Sequence, residues 1–384
     1  MATRFSSYGT SGRIYKKSDM KRREYPPDFP DLRLNQNYVC IPSKFALKEL
    51  TDYIHSGGKK MCTATTIRNK DFYFGRNLDL GAAHGEQVLV IPRALPLSFR
   101  YSPELKRHEA MIGMGVYIQG FPLFYDGANE SGLAIAGLNF PGNAVYGKPE
   151  EGKTNITSFE FIPWLLTHAT SVQEVRQILE NAVITDDAFA PGFPVSTLHW
   201  MVSDKYESIV VEQTKTGLHI YSNPAEVLTN NPEFPIHLFS LNNYSRLSPR
   251  DEKPTFGIDM DYDIYCKGLG GLGLPGDLSS ISRFVKAAFT RANSVSGESE
   301  KENVSQFFHV LGSVDQQRGA VIYGEGTYEI TVYASCINAS KGIYYYHTYD
   351  NARITKIDMY KENLEKTKPS FFPLRTEEDF FEEN

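Results

Sequence analysis

From residue 62 onward the apolar positions cluster in short runs rich in β-branched and aromatic residues, bounded by Gly, Pro, Asn and Asp. Such runs predict strands, here at residues 63–67, 72–75, 87–91, 112–118 and 133–137. Helical spacing takes over at 158–168. A second helix opens on Ser171-Val172-Gln173-Glu174, a capping-box pattern, and continues with apolar Val175, Ile178 and Leu179. Strand patterns return at 197–202, 208–212 and 218–221. Residues 279–292 form an amphipathic helix with Ile281, Phe284, Val285 and Ala288 inward, and 304–311 form another. Strands at 328–334, 342–348 and 354–359 close the chain. Hairpin groups separated by pairs of helices suit an α+β fold, a four-layer αββα sandwich of two stacked antiparallel sheets with helices outside.

Residues 1–61 break this pattern. Pro26, Pro27 and Pro30 interrupt regular structure, and only 43–54 has helical spacing. The reading is a poorly structured N-terminal extension at 1–61 and a single domain at 62–384.

Charge sharpens that division. Residues 1–61 carry 12 basic and 6 acidic side chains, net +6, whereas the remaining 28 basic and 40 acidic side chains give −12. An acidic body argues against nucleic acid as a partner, and the short basic run from Lys16 to Arg23 has no amphipathic helix around it to make a membrane arm. Apolar runs fall well short of the roughly 20 residues that span a bilayer. The first residues lack the apolar stretch of an export signal, so the four cysteines, Cys40, Cys62, Cys266 and Cys336, are expected reduced in a cytoplasmic protein. Neither CxxC nor HExxH spacing occurs, and His199 in a strand reads as a packed core residue, so no metal is implied. Gly268-Leu269-Gly270-Gly271-Leu272-Gly273 matches a dinucleotide fingerprint in letters. Pro275-Gly276 interrupts the helix such a fingerprint must open, which leaves a flexible loop and no cofactor.

The candidate chemistry centres on Cys62. Arg76 follows 14 residues later and Asp79 three after that. A thiol, a cation to hold its thiolate and a carboxylate to orient an amine are parts of a covalent amide hydrolase. Were Cys62 the first residue of the working enzyme, its α-amine, titrating at about 7.7–8.0, would be the general base. Taken singly, Cys62 could equally be a small core residue, Arg76 a surface cation and Asp79 a turn aspartate. Asn139 after an apolar strand and Asn230 in Leu228-Thr229-Asn230-Asn231-Pro232 could be oxyanion donors or turn formers. Arg283 sits in the first turns of a helix, where the dipole disfavours a cation.

Five segments in order remove the ambiguity: Cys62-Thr63-Ala64; Phe74-Gly75-Arg76-Asn77-Leu78-Asp79; the run from Asn129 to Gly142; Val227-Leu228-Thr229-Asn230-Asn231-Pro232; and the run from Leu274 to Phe284. Together they resemble the choloylglycine hydrolase family of N-terminal nucleophile hydrolases, which includes bile salt hydrolases and penicillin V acylases. The resemblance runs from Met61 to about Tyr349 and leaves the first 60 residues without a counterpart. It implies the same αββα fold, a homo-oligomer (a tetramer) and six catalytic positions, all present. Cys62 is nucleophile and base, Arg76 and Arg283 support the thiolate, Asp79 positions the amine, and Asn139 and Asn230 form the oxyanion hole.

For substrate, a bulky apolar acyl group needs an apolar pocket with few polar fixings. The expected walls are Leu78, the segment from Val116 through Ile118 to Phe121, and Phe189 and Phe193 in a Gly- and Pro-rich loop. Lys267, before the Gly-rich loop, is expected to face the anionic end of the leaving amine. Asn139 resembles the bile salt hydrolase choice at its position, which favours glycine- and taurine-conjugated bile acids. Penicillin V acylase and N-acyl homoserine lactone acylase activities are the alternatives within the class. A non-catalytic binder of amphipathic acids is the alternative outside it, opposed by the intact nucleophile, asparagines and arginines. The active species is predicted to begin at Cys62, either because 1–61 is a propeptide or because translation starts at Met61 and that methionine is trimmed. Intact-mass analysis of active protein checks this, and full activity with residues 1–60 attached overturns it.

Overall fold

The computed structural model describes residues 61–324 and 326–384, so the expected helix at 43–54 and the Pro-rich and basic stretches fall outside the described residues. The first hairpin is β1 (Met61–Arg68) and β2 (Phe72–Leu80), paired from Met61 opposite Asp79 to Arg68 opposite Phe72. A meander follows: β3 (Gln87–Ile91), β4 (Met111–Ile118), β5 (Phe121–Asn129) and β6 (Ala134–Asn139). The β4–β5 turn runs through Gln119 and Gly120 at φ of 52° and 84°, the positive-φ geometry that matches strand twist. Next come β7 (Thr154–Thr157), α1 (Phe161–His168), α2 (Val172–Leu179) and β8 (Ala182–Thr185), with β7 and β8 parallel. Strands β9 (Leu198–Ser203), β10 (Ser208–Thr214) and β11 (Gly217–Ser222) return to the meander's sheet, and β12 (Val227–Leu228) pairs with β1. Helices α3 (Phe234–Ser240), α4 (Ser280–Ala292) and α5 (Glu300–Gly312) precede β13 (Val321–Gly324), β14 (Thr327–Asn338), β15 (Ile343–Thr348), β16 (Asn351–Asp358) and β17 (Ser370–Pro373).

Two antiparallel sheets result. One has the order β12-β1-β2-β14-β15-β16, with β13 on β14, and the other β11-β10-β9-β6-β5-β4-β3-β17. Their facing sides share one core, to which Ala64, Phe74 and Ile337 of the first sheet and Val88, Ala128 and Ala134 of the second contribute. The outer face of the second sheet packs under α1 and α2 through Ile135, Trp200, Phe161 and Leu165. The outer face of the first packs under α5 through Tyr73, Cys336, Phe307 and Leu311. The expected αββα sandwich is therefore the fold observed.

Elements missed by periodicity have identifiable causes. Strand β2 continues five residues past its expected end because Arg76, Asn77 and Asp79 sit inside it, and all nine of its residues are buried. Strand β5 was hidden by Pro122 and Gly127, and α3 is a seven-residue helix with Pro at its start. Residues Leu269–Gly271 of the Gly-rich run form one 3-10 turn in a loop, with no strand before it or helix opening on it.

Gly75 fixes how β2 meets β14. A Cβ there would lie 2.0 Å from the Ser335 carbonyl oxygen, and backbone in mid-sheet cannot step aside. Gly75→Ala should therefore cost at least about 3 kcal/mol, at or beyond the upper end of overpacking penalties. Denaturant unfolding checks this, and because Arg76 is the next residue, turnover should fall as well.

Candidate active site

Pairing in the β1–β2 hairpin sorts the chemistry onto two faces. Paired residues in an antiparallel ladder share a face and successive residues alternate. Cys62 opposes Leu78 and Ala64 opposes Arg76, so Cys62 and Arg76 share the inter-sheet face. Asp79, an odd three residues past Arg76, falls on the other face, opposite Met61. The arginine can thus address Sγ, while the aspartate lies on the opposite face, across the ladder from Met61.

The guanidinium of Arg76 is buried between the sheets. One nitrogen contacts Cys62 Sγ, and another donates to Gly137 O at 2.5 Å and Tyr125 O at 3.2 Å. Asp126 on β5 supplies the nearby negative charge. Its carboxylate accepts from the phenols of Tyr333 (2.7 Å) and Tyr344 (2.6 Å), and burial raises its pKa against the pull of Arg76. Burial outweighs Arg76, which pulls the Cys62 pKa down as expected of a cation beside the sulfur. Burial pushes the Cys62 pKa up, and Arg76, the Asn139 backbone N–H and Arg283 only partly offset it. A thiol in that condition needs a base.

Asp79 is placed to serve one. Its Oδ1 accepts from Thr331 Oγ1 at 2.7 Å, while Oδ2 is buried with no hydrogen-bond partner among the described residues. Burial lifts its pKa to about 7 despite the field of Arg283. In this structure Met61 is still attached, so the nitrogen of Cys62 is an amide whose N–H goes to Asn230 Oδ1 at 2.8 Å. The Met61 N–H goes to Glu329 Oε1 at 2.6 Å, and burial lifts Glu329 to about 7 as well. A free α-ammonium on Cys62 would give Asp79 Oδ2 the donor it lacks.

Arg283 lowers the Cys62 pKa through its charge and also holds the surrounding backbone. Its guanidinium donates to Cys62 O (2.6 Å), Thr63 Oγ1 (2.7 Å) and Asn230 Oδ1 (2.8 Å), and its Nε to Leu278 O (3.0 Å). These bonds hold the strand and the asparagine, so its effect on the thiol comes through its field alone. Asn139 and Asn230 converge on Cys62 from different elements. Asn139 ends β6 and lines the cavity beside the thiol. Asn230, in the loop after β12, donates Nδ2–H to Asn139 O at 2.9 Å. All six sequence-derived positions are brought to one place.

The cavity that opens on Cys62 measures about 290 Å³ and is mainly apolar. Leu78, Ile118, Phe189 and Phe193 line it as expected, joined by Phe124 and Ile162. Phe189 packs edge-on between Phe159 and Phe193, and Arg100 holds the loop by donating to Ala188 O and Phe189 O. Two expected wall residues are elsewhere. Phe121 turns into the core under α1, edge-on to Phe99. Lys267 is 95% exposed, its nearest carboxylate Asp251 at 3.8 Å, and it does not line the cavity. Sequence reasoning missed Asp126 and Glu329. A lone carboxylate inside an apolar strand, as in Phe124-Tyr125-Asp126-Gly127, was the available signal.

Comparison with known proteins gives the same picture. The model of the linear amide C–N hydrolases, choloylglycine hydrolase family, matches residues 62–372. A bile salt hydrolase/transferase of Lactiplantibacillus plantarum is 49% identical over 324 residues, covering 84% of this chain and 100% of the relative. One of Clostridium perfringens is 41% identical over 311 residues, covering 79% and 94%. Among solved structures, a mutant conjugated bile acid hydrolase from Clostridium perfringens aligns with a TM-score of 0.78 at 38% identity, over 84% of this chain and 100% of that one. A penicillin V acylase from Agrobacterium tumefaciens, at 21% identity and TM-score 0.63 over 81% and 90%, shares the fold.

Arg76 is the strongest influence holding the thiol pKa down, so Arg76→Leu should shift the pH profile of Cys62 alkylation upward. At neutral pH iodoacetamide should act at least about tenfold more slowly, since one opposite charge in contact moves a pKa by a unit or more. Peptide mapping must follow Cys62 itself, because Cys266 is exposed and free to react while Cys336 is buried.

Proposed function

The chain belongs to the linear amide C–N hydrolases of the choloylglycine hydrolase family, and we propose that it cleaves the amide of glycine- and taurine-conjugated bile acids with Cys62 as an N-terminal nucleophile. The observation that carries this is the orphaned Asp79 Oδ2, on the residue paired with Met61 across the ladder, with Arg76 on the sulfur and a mainly apolar cavity in front. The freed α-amine, held by Asp79, takes the Sγ proton, and the thiolate attacks the amide carbonyl. The oxyanion is met by Asn139 and Asn230 Nδ2–H. Collapse breaks the C–N bond as the ammonium returns the proton to the departing glycine or taurine nitrogen. A water, deprotonated by the same amine, then hydrolyses the thioester and frees the bile acid.

The active species begins at Cys62, and residues 1–61 are either a propeptide or an extension ahead of the true start. Full coverage of the Lactiplantibacillus plantarum relative by only 84% of this chain supports that division from the body at 62–384. Subunits assemble as a homo-oligomer, supported by the exposed stretch that carries Phe256, Ile258, Met260 and Tyr265. No helix among the described residues is long and apolar enough to cross a membrane, and with Cys62, Cys266 and Cys336 free among the described residues we infer a cytoplasmic enzyme.

Steady-state assays with both conjugates test the substrate reading. Wild type should release free bile acid from each, and Cys62→Ala should lose at least about 10³-fold in kcat while still binding. Greater kcat/KM on penicillin V than on either conjugate would move the protein to the acylase side of the family.

A further inference from the structure

Asn230 can serve an oxyanion only if its loop is held still, and the loop's support is a buried polar chain on the far side from the substrate. His199 on β9 and Glu212 on β10 are both fully buried, with His199 Nδ1 2.9 Å from Glu212 Oε1. His199 Nε2 lies 2.8 Å from Thr229 O. A carbonyl can only accept, so Nε2 carries a proton and donates. A further proton must then lie between Nδ1 and Glu212, which makes the two a neutral unit. Glu212 also accepts the Phe234 N–H at the start of α3 with both oxygens, at 3.1 and 3.2 Å. The next carbonyl, Asn230 O, takes the His237 Nε2–H at 2.8 Å, and burial lowers that imidazole to about 4, so it is neutral. The ring of Phe140, directly after Asn139, stacks on His199 with centroids 4.2 Å apart and planes within 7°.

His199 therefore touches the neighbour in sequence of both oxyanion asparagines, Thr229 by a hydrogen bond and Phe140 by stacking. It makes no hydrogen bond to the thiol and does not itself line the cavity. We infer that His199 and Glu212 are a positioning pair for the oxyanion hole, setting the distance between Asn139 and Asn230 without contacting substrate. The inference rests on the assignment of those asparagines as oxyanion donors. Its distinguishing consequence is selectivity: the pair governs the step that develops an oxyanion and leaves thiol alkylation and substrate binding alone.

The test replaces both partners together, His199→Leu with Glu212→Leu, so that no buried charge is left unpaired. Expected is a drop in kcat of about 10²-fold, comparable to loss of one oxyanion donor. KM and the rate of Cys62 alkylation by iodoacetamide, which forms no oxyanion, should stay within about threefold. Glu212→Gln keeps an acceptor for Phe234 N–H and a donor for Nδ1, so it should recover at least tenfold of the loss. Asn230→Ala in parallel separates the two readings. If Asn230→Ala is impaired while the double variant turns over normally, the positioning pair is wrong and the oxyanion hole stands. If Asn230→Ala is itself silent, the oxyanion assignment fails and the inference falls with it. Parallel losses in kcat and alkylation, or failure of both His199/Glu212 variants to fold, would overturn the inference by making the pair a support of the whole fold.

Discussion

The active site is organised around one buried cation. The guanidinium of Arg76 sits between two sheets, where an isolated charge would be prohibitively costly. It is tolerated because carbonyls of β5 and β6 accept from it and Asp126, backed by two phenols, balances it. These contacts come from the second sheet and from β14 and β15, whereas Arg76 itself is on β2. Stacking the sheets and assembling the charge network are thus the same event. The thiol benefits as a bystander, since the cation that bridges the layers also faces Sγ.

Burial governs the chemistry in both directions. It raises the Cys62 thiol and the Asp79 and Glu329 carboxyls together, so with Met61 attached the site holds its protons. A free α-amine on Cys62 would supply the base that the thiol needs and, once protonated, a donor for Asp79 Oδ2. Arg283 complements this by fixing backbone: its bonds to Cys62 O, Thr63 and Asn230 tie β1 to the loop after β12 through α4.

Substrate fit is set by layers of the sandwich rather than by one element. Leu78 comes from β2, Ile118 and Phe124 from β4 and β5, Ile162 from α1, and Phe189 and Phe193 from the loop held by Arg100. Thr229 is bonded to His199 on β9, and Asn230 and Asn231 to Asn139 and Pro141 at the end of β6.

By itself the sequence determined the layer architecture and picked out the six positions that the fold brings together. Strand and helix periods are local, and the motif around Cys62, Arg76 and Asp79 lies on one hairpin whose register follows from strand pairing. It also separated residues 1–61 from the body by charge and pattern. It misjudged Phe121 and Lys267, because which face of a strand meets the cavity, and whether a loop cation bends toward it, depend on elements more than 100 residues apart. It took His199 for a packed core residue without finding Glu212, Thr229 and Phe140 around it. Only the tertiary structure decided that burial outweighs Arg76 in setting the Cys62 thiol, that Asp126 is the balancing charge, and that Arg283 grips backbone. Desolvation and long-range hydrogen bonds exist only once the sheets have closed on one another, so no local pattern in the chain encodes them.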